Sequence, residues 1–139
     1  MKIRIIKISF ILFIGALIFS CSTEPFEVCD YENDDIHYDC IQDIFDLSCM
    51  TAGNCHTVGG NVPNLSYGVS YNNIVNKTAT WDDNFNYIEP NFPETSLLYL
   101  QLEQSVSDGR YFMPLNGNKL SQSQRDYIKE WIEAGAPLN

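Results

Sequence analysis

The segment Cys49-Met50-Thr51-Ala52-Gly53-Asn54-Cys55-His56 sets two thiols either side of a five-residue gap and puts an imidazole directly after the second. A Cys-His pair preceded closely by another cysteine is the pattern of covalent haem attachment. The two thiols add across the two vinyl groups of the porphyrin, and the adjacent histidine reaches the iron from the proximal side. The usual gap between the cysteines is two residues. Here Gly53 and Asn54 suit a loop that bulges out and returns, which absorbs the extra length. The same residue types allow two other chemistries. One is a Cys49–Cys55 disulfide beside an unliganded His56. The other is zinc on Cys49, Cys55, His56 and a fourth group.

A haem iron of this type commonly takes a methionine sulfur as its other axial ligand. Of the three methionines, Met1 is the initiator and Met50 lies inside the cysteine segment. That leaves Met113, in Arg110-Tyr111-Phe112-Met113-Pro114. Pro114 disfavours helix at the residue before it, so Met113 is expected on an extended segment or loop. Tyr111 and Phe112 could wall a flat apolar ligand. On position alone, a methionine that simply fills core space explains Met113 slightly better. Arg110 either pairs with a haem propionate, since a guanidinium suits a carboxylate, or is a surface arginine. His37, the only other histidine, reads as a solvated residue, with a second histidine ligand as the alternative.

These groups need elements to hold them. The clearest is C-terminal. Ser121-Gln122-Ser123-Gln124 is a capping box, and Tyr127, Ile128, Trp131 and Ile132 then form one apolar helix face. Gly135 suits a left-handed cap, and Pro137 prevents continuation. Three further helices are expected. One is capped by Asp39, carries Ile41, Ile44 and Phe45, and ends just before Cys49. A short one spans 71–76, and another spans 94–103 with Leu97, Leu98, Leu100 and Leu102. Between them lie turn-rich stretches, and no β-alternation is long enough to build a sheet. The expected class is all-α.

The front of the chain reads as an address. Three of the 8 basic residues (Lys2, Arg4 and Lys7) fall in the first seven positions, and residues 8–19 are almost wholly apolar. A basic start, an apolar run of about a dozen residues and a small residue at the cut describe a secretory signal. The run is shorter than the ~20 apolar residues of a spanning helix. Ser20-Cys21 resembles a bacterial lipoprotein signal, in which the cysteine is lipidated and becomes the first residue of the mature chain. On that reading residues 1–20 are removed and 119 remain, with 5 basic against 18 acidic residues, a formal charge of −13 rather than the −10 of the whole chain. Residues 21–38 read as an acidic tether and 39–139 as the domain. Strong acidity excludes a nucleic-acid role, which needs a basic face. It also predicts basic protein partners.

The order of motifs resembles a small c-type cytochrome domain, of the kind found in planctomycetes and in exported Bacteroidetes lipoproteins. The matching pieces are Asp43-Ile44-Phe45, Cys49…Cys55-His56, Pro93-Glu94-Thr95-Ser96-Leu97-Leu98-Tyr99, Met113-Pro114, Leu120-Ser121 and Trp131-Ile132-Glu133-Ala134-Gly135-Ala136-Pro137. They cover residues 40–139 in the family's order. The resemblance implies a bundle of about four short helices with long loops around a haem crevice. It implies one haem c attached to Cys49 and Cys55, with His56 and Met113 as the axial ligands of the iron. The function implied is monomeric electron transfer at the cell envelope, with no enzymatic reaction. The lipid on Cys21 would hold the protein to a membrane, and a basic redox protein would be its partner. With Cys49 and Cys55 so assigned, Cys29 and Cys40 are left over and are expected to form a disulfide. The rival expectation is a haem-free lipoprotein module, stapled by Cys49–Cys55 and acting in binding or assembly. A haem enzyme would need an open iron position, which Met113 would fill.

Overall fold

The computed structural model describes residues 29–51, 55–103, 112–115 and 117–138. The signal at 1–20 and the expectations for Cys21, Gly53, Asn54, Arg110 and Tyr111 lie outside the described residues. Among those described there are four α-helices and no strand. They are α1 (Tyr38–Ile44), α2 (Ser70–Ile74), α3 (Leu97–Leu102) and α4 (Gln122–Glu133). A π-helical turn, Phe45–Cys49, prolongs α1, and a 3₁₀ turn, Pro93–Thr95, precedes α3. Strand-like pairing is confined to three isolated bridges within the described residues, at Val75–Ile88, Thr78–Asn86 and Asn86–Ser96. The all-α expectation agrees with this. No helix among the described residues is long and apolar enough to cross a membrane.

Helices of five to seven residues do not persist alone in water, so α1, α2 and α3 depend on tertiary packing. The organiser is α4, which packs against both α1 and α3. Its start is the capping box read from the sequence. The Ser121 hydroxyl accepts from the Gln124 backbone N–H at 3.2 Å, and the Gln124 side chain accepts from the Ser121 N–H at 2.9 Å. Its end is a Schellman arrangement. Ala136 N–H bonds to Trp131 O and Gly135 N–H to Ile132 O, with Gly135 at φ +92°. Tyr127, Ile128, Trp131 and Ile132 are all buried. Arg125 ties this helix to the end of α3 through a 3.0 Å ion pair with Glu103.

The chain is folded down from Cys29 onward, ahead of the expected boundary at residue 39. Tyr127 holds this entry segment. Its hydroxyl donates to Asp35 O at 2.8 Å and accepts from His37 N–H at 2.9 Å, and its ring meets Tyr31 edge-on at 5.5 Å. These contacts also correct the expected cap of α1. His37, exposed to solvent, is the N-cap and makes no side-chain cap bond, while Asp39 sits in the first turn, where its charge suits the helix dipole.

Cys29 is joined to Cys40 by a disulfide with Cα atoms 5.7 Å apart. It spans only 11 positions in sequence, so loop-closure entropy assigns it about 2–3 kcal/mol. We expect the Cys29→Ser, Cys40→Ser double variant to lose about that much in urea unfolding. A loss below about 0.5 kcal/mol would show that Tyr127 alone fixes the entry segment.

Candidate functional site

The four residues singled out for haem chemistry come from two stretches, the Cys49–His56 segment and the chain around Met113, and one cavity collects them. It has a volume of about 200 Å³, and Cys49, Cys55, His56 and Met113 all line it. Leu65, Leu98, Leu102, Leu120 and Ile128 give it an apolar wall.

Each donor is delivered by a different device. Cys49 is the last residue of the π-helical turn, in which Met50 N–H reaches back to Phe45 O at 3.1 Å. Such turns recur at functional positions because they widen a helix locally. The turn carries the chain through Cys49, where the sequence had suggested the helix would stop just short of it. Cys55 and His56 are tied to the segment that follows. Asn61 N–H bonds to Cys55 O and Leu65 N–H to His56 O at 2.7 Å. Met113 is secured by its backbone, whose N–H donates to Gln101 O at 2.9 Å. It lies off helix, as Pro114 requires, and packs partly buried against the core.

The imidazole of His56 is fixed by its ring. Nδ1 lies 3.0 Å from the carbonyl oxygen of Pro63. A carbonyl can only accept, so Nδ1 carries a proton in this contact and Nε2 is the ring nitrogen left for another partner. A histidine ligand is ordinarily oriented in this way, with the non-ligating nitrogen donating to a carbonyl or carboxylate. Nothing in the sequence marks Pro63 as functional. Its role is a backbone carbonyl set by the turn-rich stretch after His56, and spacing alone gives no signal for it.

Cys49 and Cys55 are both thiols and are not joined to each other. Burial pushes the Cys49 thiol up to about 12, with the Asp46 carboxylate and Cys55 adding to the effect. At neutral pH it is therefore protonated. That disfavours an activated nucleophile, which needs the anion. Among the described residues no group of three or more His, Cys, Asp or Glu is arranged to hold a metal ion. Methionine and porphyrin nitrogens lie outside that set of ligand types.

The donor set fits haem c: two thiols, an imidazole whose Nδ1 is taken up by the Pro63 carbonyl, and a thioether on one apolar cavity. The volume is below the ~300–1,000 Å³ typical of small-molecule clefts, so a porphyrin would have to part the walls as it enters. Phe112 departs from expectation. It is absent from the cavity lining and lies instead under the Lys119 ammonium, 5.0 Å from the ring centre.

A second feature is electrostatic. Asp34, Asp35, Asp39, Asp43 and Asp46 border one surface cleft beside the Cys29–Cys40 disulfide. Burial first, then the neighbouring Asp46 and Asp39 carboxylates, raises Asp43 above the ordinary carboxylate range. Compared with protein-family models, with curated proteins and with solved structures, the chain matches none of them.

Proposed function

We propose that this chain is an exported, lipid-anchored c-type cytochrome with a cytochrome c-like bundle, carrying electrons through one haem c. The observation that supports this best is the convergence of Cys49, Cys55, His56 and Met113 on one apolar cavity from separate parts of the sequence. When bound, the haem supplies a one-electron ferric/ferrous couple. Cys49 and Cys55 would hold it covalently, and His56 and Met113 would be the axial ligands. The protein's contribution is positional. The Pro63 carbonyl keeps the His56 proton on Nδ1, and the Gln101 carbonyl anchors the Met113 backbone. The leucine wall would keep water away from the group, which would favour its ferrous state and raise its potential. With His56 and Met113 both holding the group, no position would be left for a substrate, so the reading is a carrier and not an enzyme. The haem-free alternative would instead join Cys49 to Cys55 in a disulfide. Detection of covalent haem in the mature chain is the deciding experiment.

The partner on this reading is a basic redox protein, met while the lipid on Cys21 holds the carrier at the outer side of a membrane. The mature charge of −13 and the aspartates crowded near α1 give that partner a field to follow. We expect the bimolecular electron-transfer rate with a basic partner to fall roughly tenfold between 0.01 M and 0.15 M salt, as the Debye length shrinks from about 30 Å to about 8 Å. Stopped-flow rates indifferent to ionic strength would contradict this partner.

A further inference from the structure

Gln42 is one of the few polar side chains buried in the core, at 3% exposure. A buried amide is costly unless its hydrogen bonds are made, and here they are made in a specific pattern. Its Nε2 donates to Asp46 Oδ1 at 2.6 Å and to Leu65 O at 2.9 Å. Its Oε1 accepts from the Ser70 hydroxyl, and Ser70 accepts in turn from Tyr38 OH at 2.7 Å. The partners fix which end of the amide is which. Leu65 O can only accept, so the nitrogen must face it.

The two groups that receive the Gln42 protons belong to the two arms of the cavity. Asp46 lies in the π-helical turn, three residues before Cys49. Leu65 lies in the segment that grips His56 twice, through Leu65 N–H to His56 O and through Pro63 O to the ring. One side chain therefore links the Cys49 arm to the His56 arm. The covalent route between these arms is the five-residue gap. A longer gap leaves the two ends more relative freedom, because closure entropy grows with loop length. A cross-link through space can remove that freedom.

We propose that Gln42 is the positioning residue that compensates for the long cysteine gap, holding the His56 ring in register with Cys49. This rests on the haem reading for its purpose, but its test does not need haem. The full chain is compared with Gln42→Met, which keeps the volume and removes both donors, by nitrogen-detected NMR of the histidine rings at pH 8.5. In the wild type, His56 should show a single Nδ1–H tautomer. In Gln42→Met it should show both tautomers, with exchange of the Nδ1 proton about tenfold faster. His37, exposed at the start of α1, should be unchanged and serves as the internal reference. If Gln42→Met does not fold, Gln42→Asn takes its place, since the shorter side chain cannot reach Asp46 and Leu65 together. The same loss of a single tautomer is then expected. A His56 tautomer and exchange rate equal to wild type in the folded variant would overturn the proposal. A wild-type chain that never takes haem would overturn the haem reading while leaving this result in place.

Discussion

Replacing Met113 with leucine should abolish the weak Met–iron charge-transfer band at the red end of the ferric spectrum and lower the reduction potential by roughly a tenth to a few tenths of a volt, within the ~0.8 V that axial ligands control. The choice of leucine matters. Met113 is partly buried against the core, and alanine would leave a void at the same time as it removed the sulfur. Leucine keeps the volume and removes only the thioether. The Met113 N–H bond to Gln101 O is a backbone contact, so it survives either substitution. Met113→Leu should therefore unfold at nearly the wild-type denaturant concentration and still lack the band. A Met113→Leu protein with band and potential unchanged would show that Met113 is core filler, and another residue would have to occupy the sixth position.

Trp131→Ala should cost about 3–5 kcal/mol in stability. The indole is fully buried, tilts against Tyr38 at a ring distance of 5.6 Å, and donates from Nε1 to Pro137 O at 2.8 Å. Deleting it opens the contact between α4 and α1 and leaves the Pro137 carbonyl without its partner. Domains of this size have only about 5–15 kcal/mol in total, so the variant should be substantially unfolded at 37 °C. Because α1 leads into the turn that bears Cys49, haem uptake should fall with it. A cost below about 1 kcal/mol by denaturant titration would mean that α4 is not the organiser of this fold.

Legibility in the sequence tracked how local each signal was. Helix α4 was readable from cap to cap, because Ser121, Gln124 and Gly135 act within their own turns. Helix 94–103 was readable only as an apolar run. In the structure it is interrupted at Ser96, whose hydroxyl donates to Phe92 O at 2.9 Å and accepts from Glu89 N–H at 2.8 Å. The next amides, Leu97 and Leu98, bond to Asn86 O and Tyr87 O instead of to a preceding helical turn. Such local and tertiary competition is invisible to periodicity. The helix expected at 71–76 runs Ser70–Ile74, and Asn76 beyond it turns left-handed at φ +53°. The start of α1 differs from the expected Asp39 cap for a similar reason: Tyr127, 90 positions away in sequence, holds the His37 N–H.

The candidate site divides along the same line. Cysteine, histidine and methionine announce themselves by residue type, and their order carried the family resemblance. Pro63, Gln101 and Gln42 did not, because two of them act through backbone carbonyls and the third through contacts that only the folded chain creates.

The central claim is that haem is attached covalently to Cys49 and Cys55. The most direct measurement is a pyridine haemochrome spectrum of the mature chain, expressed in a strain with haem-attachment machinery and stripped of loose haem by acidic acetone. The predicted result is one haem per chain, with the spectrum of two thioether bonds, lost in the Cys49→Ser, Cys55→Ser double variant. A folded mature chain that carries no haem after extraction would contradict the account.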